Sequence, residues 1–550
     1  MARAAIDTRT GTWYPFGIPV LQVETRCGEC RIPVAMGWRI LYNKYNLAQG
    51  PGRAAGTQTG GETMISTVYQ LVNHMEADQA EKTAIQYYDE AKGGVVSICY
   101  GQYAQDIRRA AGLLLHRKPD IKGQKVCLLA RNGYDYLVNL LSVLLAGGVL
   151  VPLNLQKNWD EIQYEIALVE PVYILHDGEF AEREPALTAA YGDKLLPMDG
   201  YKTSQWSERC SECEDVDALS VILFTSGTTG RSKGVMISHR NLFAPMDFFC
   251  LPFEDIQKQT GWDTSKFRSF SVLPMFHVAA LTSSISWAIM GNTVNLCNDL
   301  KHFYRDLAAM DSEVMAVVPV LLQSIYRDVK RGRRDRLGSL KALTCGAASM
   351  AAETMSDLVK AGFFICQMYG LTETVGDGTW NNSQDPADIH SVGLCDPKRE
   401  YKLEDGELCI RGNSVMMGYY KDPEGTAEVL DADGWLHTGD LARIDERGFV
   451  FLTGRKKNVI ILGSGENVSP EELEALLNQC EAVTESLVRE ENGKIGALVY
   501  CGEGGETKEA DVQAYVTEMN RTLPLYMRIT AVEFSEGPLP RNAVGKLQRT

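Results

Sequence analysis

Short apolar runs alternate along the chain with longer segments whose apolar residues recur at helical spacing. The short runs are bounded by turn-forming residues, as buried strands are, and they occupy 125–130, 172–176, 221–224 and 270–274. The longer segments predict helices over 64–77 and 103–116. Strands that alternate with helices indicate a layered α/β fold with mostly parallel sheets.

The longest apolar run, 137–153, approaches the length of a membrane span. Asn139, the adjacent Gly147 and Gly148, and Pro152 interrupt this run. We therefore expect a buried helix that ends at the glycines, followed by a short buried strand. On this interpretation the chain has no transmembrane segment.

Length and composition narrow the class of protein. The 550 residues are too many for one hydrophobic core, so several subdomains are expected. The formal net charge of −16 argues against a general nucleic-acid binder but not against anionic substrates held by local features. The 14 cysteines are mostly isolated and we recognise no signal peptide, which predicts a reducing, cytoplasmic environment.

Residues 1–63 show no sustained periodicity, and the regular alternation begins near Met64. The codons for residues 60–64 can contain GGAGG shortly before ATG, as a bacterial ribosome-binding site does. We therefore expect translation to start at Met64 and 1–63 to be an over-called start. The alternative is a disordered N-terminal extension.

The segment with the highest concentration of glycine, hydroxyl and cationic residues follows the strand at 221–224. The loop 225–234, TSGTTGRSKG, holds three glycines, five hydroxyls and two cations. Such a loop lets the backbone approach a polyphosphate and surrounds it with donors and positive charge. An ordinary turn rarely gathers so many donors. A Walker P-loop fails on spacing, because Ser232 rather than glycine precedes Lys233 and Gly234 follows it.

This loop resembles the phosphate loop of the adenylate-forming superfamily, which includes acyl-CoA synthetases, peptide-synthetase adenylation domains and luciferases. Ser232 stands where the family usually has proline. Further motifs match in the same order over about 490 residues from Met64, closest in pattern to fatty-acid-type acyl-CoA ligases. The resemblance implies ATP contacts by Thr225, Ser226, Gly227, Thr228, Thr229, Gly230 and Lys233.

The strand at 270–274 leads into PMFHVAAL, which resembles the acyl-pocket segment of acyl-CoA synthetases. The resemblance implies that His277 gates or lines the site of the substrate carboxylate. Amino-acid-activating relatives usually place an aspartate near here, and this segment has none. An unpaired buried ammonium is costly, so an acid without an α-amino group is expected. The apolar residues 281–290 suit either an alkyl or aryl tail or a core helix.

Two later segments suit a purine and a metal. The strand predicted at 342–349 ends in small residues that let a flat ring lie against backbone, and 367–374, QMYGLTET, offers a stacking face and hard oxygens. By resemblance, Thr372 contacts phosphate and Glu373 binds Mg²⁺, both as catalytic residues. The implied adenine contacts are Gly346, Ala347, Ala348, Gln367, Tyr369 and Gly370.

The C-terminal motifs begin with GWLHTGD at 434–440 and a hairpin-like run to 458. Asp440 by itself suits a turn or a grip on ribose; the resemblance implies ribose binding, assisted by Arg455. The resemblance places a hinge at Lys457 and a pantetheine tunnel beside Gly463 and Gly465. Ser469 and Pro470 predict a helix start. Lys546, in the last motif, is implied to reach the active site as a catalytic and ATP-contacting residue.

The fold implied is α/β, with an N-terminal AMP-binding domain over 64–456 that contains two packed sheets and a distorted β-barrel. A small mobile α+β domain is expected over 457–550. The implied reaction is Mg²⁺- and ATP-dependent activation of a carboxylic acid, expected to be a fatty acid, to acyl-AMP and pyrophosphate, followed by transfer to CoA. The alternative acceptor is a carrier-protein phosphopantetheine, which presents the same thiol arm. A non-catalytic nucleotide-binding module would need a broken site, yet its key polar residues are present.

Overall fold

The computed structural model describes residues 65–178, 185–206, 210, 215–225, 231–346, 352–389, 391–462, 466–491, 493–502, 505–541, 547 and 549. The first 200 residues contribute α1 (Val68–Ala77), β1 (Thr83–Asp89), β2 (Gly94–Cys99), α2 (Tyr100–Arg117), β3 (Lys125–Leu129), α3 (Tyr134–Leu145), β4 (Val149–Pro152), α4 (Trp159–Val169), β5 (Tyr173–His176), α5 (Pro185–Tyr191) and β6 (Leu195–Pro197).

The middle of the chain contributes β7 (Leu219–Thr225), β8 (Lys233–Ser238), α6 (His239–Phe243), α7 (Leu251–Thr260), β9 (Arg268–Ser271), α8 (Val278–Met290), β10 (Thr293–Leu296), α9 (Phe303–Ala309), β11 (Val314–Val317), α10 (Pro319–Lys330), β12 (Ala342–Cys345), α11 (Ala352–Lys360) and β13 (Phe364–Gly370). Up to this point most strands alternate with helices, as the apolar pattern predicts.

The rest of the chain is richer in strands. It contributes β14 (Gly378–Asn381), β15 (Gly393–Cys395), β16 (Glu400–Glu404), β17 (Glu407–Arg411), β18 (Gly418–Tyr419), α12 (Pro423–Ala427), β19 (Leu436–Ile444), β20 (Phe449–Arg455), β21 (Ile460–Ile461), β22 (Asn467–Val468), α13 (Pro470–Leu477), β23 (Glu485–Glu491), β24 (Lys494–Tyr500), α14 (Gly505–Thr522) and β25 (Ile529–Phe534).

Two large sheets organise the molecule. The first has 13 strands in the order β16-β17-β19-β20-β15-β14-β13-β12-β11-β9-β10-β1-β2, and the second has seven in the order β18-β8-β7-β4-β3-β5-β6. Pairing is parallel from β13 to β1 in the first sheet and from β7 to β6 in the second. Helices connect most of these strands, and parallel neighbours need crossovers of that kind.

Between Gly378 and Arg455 the pairing is antiparallel, unlike the parallel pairing that the alternation of strands and helices predicts for the earlier part of the chain. Asp405 and Gly406, both with positive φ, form the turn between β16 and β17, which is too short for a crossover. These strands stand where the distorted barrel is expected, and they are hydrogen-bonded as an extension of the open sheet.

One contiguous apolar core joins the two sheets. It contains Leu128 and Leu150 from the second sheet, Ile85 and Val294 from the first, and Ile107 from α2. Helix α4 covers the other face of the second sheet, and α9 to α11 cover the other face of the first. The shared core fixes one sheet relative to the other and so positions the polar segments at their strand ends.

Residues from 460 onward build a separate, smaller core of their own. β23, β24 and β25 form a three-stranded sheet, and their apolar residues pack with those of α13 and α14. As predicted, α13 starts with Ser469, whose side chain accepts from the Glu472 N–H, and Pro470. Polar contacts link this part to the larger one: Ser469 Oγ donates to Thr453 O over 2.6 Å, and Asn458 Nδ2 donates to Glu471 Oε1 over 2.6 Å.

The predicted apolar elements are found with shifted ends. The run 137–153 forms α3 and β4, separated by Gly147 at φ 80°. The strand predicted over 270–274 stops at Ser271, because the Asn132 side chain binds Leu273 O and Met275 N in place of a neighbouring strand. In the part of the chain that the structure describes, no helix combines the length and apolar composition needed to cross a bilayer.

Gly393 marks a position where the antiparallel part of the large sheet tolerates only glycine. A Cβ there would lie 1.8 Å from Trp380 O, and φ is +99°. We expect Gly393→Ala to destabilise the protein by about 2–5 kcal/mol through overpacking and backbone strain, which would lower its thermal midpoint. Gly94→Ala is the matched control, because a Cβ at Gly94 meets nothing within 4 Å. Equal midpoints for the two variants would contradict the argument.

Candidate active site

Three strands in the parallel part of the large sheet end in polar segments. The chain beyond β9 leads to His277, β12 is followed by Gly346, and β13 ends at Gly370, three residues before Glu373. The carboxyl ends of parallel strands lie at one edge of a sheet, and ligands of open α/β sheets bind in the crevice there. The order of the strands therefore brings together motifs that are far apart in the sequence.

Thr225, the first residue of the predicted phosphate loop, is paired across β7 and β8 with Lys233, near the other end of the loop. The Lys233 ammonium lies 3.4 Å from Asp422 Oδ2 and 4.8 Å from the centre of the Tyr419 ring. The Tyr419 hydroxyl in turn donates to Glu373 Oε1 over 2.9 Å. The predicted phosphate lysine and the predicted metal carboxylate therefore contact the same tyrosine.

Tyr419 and Asp422 are site residues that the sequence alone does not single out. Burial, reinforced by the Glu373 carboxylate, raises the pKa of Tyr419, so its hydroxyl keeps the proton that it donates. Both residues lie in or beside β18, a strand of two residues at the edge of the second sheet. A strand this short leaves no periodic signal in a sequence.

Asp440 is buried and held at both carboxylate oxygens. Oδ2 accepts from the Tyr369 hydroxyl over 2.7 Å, and Arg455 Nε lies 2.7 Å from Oδ1. Asp440 and Arg455 face each other across β19 and β20, and Arg455 also donates to Thr438 O over 2.9 Å. Burial and the Asp440 carboxylate raise the pKa of Tyr369. The residues implied for adenine and ribose thus form one hydrogen-bonded group.

Glu407 is a further residue that sequence reasoning missed. Its Oε1 accepts from the Gly439 N–H over 2.8 Å, and its Oε2 lies 2.8 Å from the Lys456 ammonium. Burial opposes ionisation of Glu407, but Lys456 and the Gly439 N–H lower its pKa overall. Glu407 therefore fixes the backbone of β19 next to Asp440. A single glutamate at the start of an apolar strand gives no signal of this role.

The Glu373 segment depends on close backbone packing. A Cβ on Gly370 would lie 2.2 Å from Gly376 O, so the chain can fold back on itself only with glycine here. The resulting turn contains Thr372 and Glu373, which are both half-buried. Gly346 is also tight, since a Cβ there would lie 3.1 Å from Met368 O.

The other described site residues have clear structural surroundings. His277 is half-buried and immediately precedes the first turn of α8. Gln367 Nε2 donates to Ile389 O over 2.7 Å, which ties β13 to the segment after β14. Lys457 is exposed in the turn after β20. The remaining predicted residues lie outside the described part of the chain: Ser226, Gly227, Thr228, Thr229, Gly230, Ala347, Ala348, Gly463, Gly465 and Lys546.

Behind the Glu373 segment lies a buried group of two carboxyls and one guanidinium. Arg399 Nε donates to Asp377 Oδ2 over 2.6 Å, and Arg399 Nη2 lies 3.7 Å from Asp396 Oδ2. The side chains of Asp377 and Asp396 are each 1% exposed. Burial raises the pKa of Asp377 to about 7, against the opposing effect of Arg399 and with the help of Asp396. Asp377 is therefore easier to protonate than an exposed aspartate.

Comparison with known proteins gives consistent matches. Residues 73–420 match the family described as AMP-binding enzyme. A feruloyl-CoA synthase of an Amycolatopsis species is 30% identical over 479 residues, 82% of this chain and 93% of the relative. Peroxisomal OPC-8:0-CoA ligase 1 of Arabidopsis thaliana is 28% identical over 469 residues, 78% and 83% of the two chains. The ATP-bound crystal structure of MatB from Rhodopseudomonas palustris is similar with TM-score 0.75 and 27% identity, over 88% and 98% of the chains.

The raised pKa of Asp377 predicts that the native state loses stability as pH rises. Between its unfolded value of about 3.9 and the folded value of about 7, the folded protein binds more protons, so the free energy of unfolding falls with pH. We expect the thermal midpoint of Asp377→Asn to rise relative to that of the wild type as the pH is raised from about 5 to about 8. Asp335→Asn, at an exposed aspartate, is the control. The same dependence of the thermal midpoint on pH in the wild type and in Asp377→Asn would contradict the prediction.

Proposed function

Because this chain belongs to the family of AMP-binding enzymes, we propose that it converts a fatty acid to its CoA thioester through an acyl-adenylate. The family and the CoA ligases among its relatives make the chain an AMP-forming acyl-CoA ligase, which uses ATP, Mg²⁺ and CoA. The fatty acid is the proposed part. The relatives are CoA ligases and give no support to a carrier protein as the acceptor.

The observation that carries the proposal is the convergence of Lys233, Tyr419 and Glu373, together with the buried Asp440 carboxylate that Tyr369 and Arg455 hold. A cation, a hard oxygen ligand and a buried carboxylate are what a nucleoside triphosphate needs for its phosphates, metal and ribose. These groups come from both large sheets, and neighbouring side chains hold them in place.

The proposal of a fatty acid depends on the segment after His277. Residues 278–290 of α8 include no charged side chain, so an α-ammonium there would lack a carboxylate partner on this helix. The apolar residues of α8 suit an alkyl tail. All described cysteines are free thiols, which supports a cytoplasmic location as part of the same proposal.

In the proposed first step, an oxygen of the substrate carboxylate attacks the α-phosphorus of ATP, and pyrophosphate leaves. The half-buried Glu373 carboxylate, oriented by Tyr419, fits the oxygen ligands that Mg²⁺ prefers. Mg²⁺ bound there would neutralise phosphate charge. The loop 225–233 would hold the β- and γ-phosphates, Thr372 would contact phosphate, and His277 would line the carboxylate site. Tyr369, Gln367 and 346–348 would bind adenine, and Asp440 with Arg455 would bind ribose.

In the proposed second step, the CoA thiol attacks the acyl carbonyl, the thiol proton is released and AMP leaves. We place a domain boundary at 456/457, so that the smaller domain turns about Lys457. This rotation would withdraw Lys546, which serves adenylation, and bring Gly463 and Gly465 beside the pantetheine arm. Alternation of this kind is a gating step and leaves the chemistry to positioned groups.

A substrate panel tests the proposed acid. Pyrophosphate release would be measured with acetate, octanoate, palmitate, benzoate and ferulate, each with and without CoA. Octanoate and 2-aminooctanoate form the matched pair, because they differ only in the α-ammonium. We expect kcat/KM for octanoate to exceed that for 2-aminooctanoate by at least about 100-fold, because the ammonium would be buried unpaired. Faster turnover of an amino acid or an aromatic acid would contradict the proposal.

Lys546→Ala tests the role of the last motif. We expect adenylation to fall about 10²–10³-fold, the scale for losing one charge-stabilising donor, while thioester formation from supplied acyl-AMP stays near the wild-type rate. The two half-reactions would be measured separately by pyrophosphate release and by acyl-CoA formation. Lys301→Ala, at an exposed lysine, is the control. Equal losses in both half-reactions would rule out the alternating role of Lys546.

A further inference from the structure

A buried ion pair contacts the C-terminal end of the predicted phosphate loop. Glu165, on α4, has a fully buried side chain, and the Lys157 ammonium pairs with its Oε1. The Lys157 side chain is only 11% exposed. Its ammonium also donates to Ser232 Oγ over 2.8 Å, and Ser232 directly precedes Lys233 at the start of β8. The cluster of Lys157, Glu165 and Ser232 therefore connects α4 to the loop.

The packing of α4 does not require this charge. Ile162, Ile166 and Val169 on the same helix already fill the core beneath the second sheet. Burial raises the pKa of Glu165 against the opposing effects of Lys157 and of the Ser232 hydroxyl. Buried ion pairs can often be replaced by apolar side chains without loss of stability. Stability alone therefore does not explain the pair.

Helix α4 also contacts the other segments around Lys233. The Arg231 guanidinium lies 5.2 Å from the centre of the Tyr164 ring on α4. At the C-terminal end of the helix, the Lys421 ammonium donates to Leu168 O over 2.9 Å and to Glu170 Oε1 over 2.6 Å. Lys421 directly precedes Asp422, the partner of Lys233. Both halves of the Lys233–Asp422 pair are thus anchored on one helix.

We propose that Lys157 and Glu165 are positioning residues for ATP, and that they act by holding the Ser232 hydroxyl. Because Ser232 is fixed, the first residue of β8 has a fixed position. The Lys233 ammonium is therefore held beside Tyr419 and Asp422. This inference rests on the proposed function, because it takes Lys233 as a phosphate contact. Neither positioning residue needs to touch ATP itself.

Ser232→Ala is the sharpest test, because it removes one hydroxyl and leaves the ion pair intact. We expect KM for ATP to rise about tenfold, the scale of a hydrogen bond to a charged group, while kcat, KM for the acid and the thermal midpoint stay near wild type. Ser232→Thr keeps the hydroxyl and should recover most of the ATP affinity. A purely structural role would instead lower the thermal midpoint and affect both substrates.

The double variant Lys157→Met/Glu165→Met tests the same contact from the other side. It replaces the ion pair with apolar side chains of similar length, so the protein should remain folded. We expect the same rise in KM for ATP, and no further rise when Ser232→Ala is added, because both changes remove one interaction. Lys118→Met, which breaks an exposed ion pair with Asp120, is the control. Any effect of Lys118→Met on KM for ATP should simply add to the effect of Ser232→Ala.

The inference is overturned if Ser232→Ala leaves KM for ATP unchanged, if Ser232→Thr is as impaired as Ser232→Ala, or if the double variant and Ser232→Ala are additive. Failure of the proposed function has a different signature, namely no acid-dependent pyrophosphate release by the wild type. In that case ATP titration by calorimetry compares the same variants. Equal dissociation constants for the wild type and Ser232→Ala would then overturn the inference.

Discussion

The Asp440 carboxylate joins the parallel part of the large sheet to the antiparallel part, and the rest of the site depends on it. Tyr369 reaches it from the end of the last parallel strand, and Arg455 reaches it from the antiparallel part. A buried carboxylate is stable only while its partners stay in place. The three side chains therefore hold together two parts of the chain that carry different halves of the proposed nucleotide site.

Neighbouring side chains and backbone groups hold the charged groups of the site in place. Glu373 is oriented by Tyr419, Glu407 by the Gly439 N–H and Lys456, and Lys233 lies beside Asp422. Groups that are fixed before substrate binds need little reorganisation during the reaction, which is the main source of electrostatic catalysis. A chain with a net charge of −16 can therefore suit a polyphosphate, because local cations rather than the overall charge face the substrate.

The smaller C-terminal domain has its own sheet and core, and its described contacts with β20 and the turn after it include hydrogen bonds from Ser469 and Asn458. Hydrogen bonds of this kind exchange with water at modest net cost, about 1 kcal/mol each. Such contacts suit the rotation about Lys457 that we propose. By contrast, the shared apolar core between the two large sheets resists such movement, so the proposed gating is confined to the smaller domain.

The sequence by itself determined the class of fold, most element positions as far as β13, and the segments that carry the site, because apolar periodicity and glycine-rich loops are local signals. It also predicted Lys233, Glu373 and Asp440 as site residues. Only the tertiary structure decided how these residues are held. Tyr419, Glu407, Lys157 and Glu165 lie far from those motifs in the sequence, and single polar residues in apolar segments carry no pattern. Their roles arise from contacts that form when the strands are placed side by side, and strand order is set by the global packing of helices and connections.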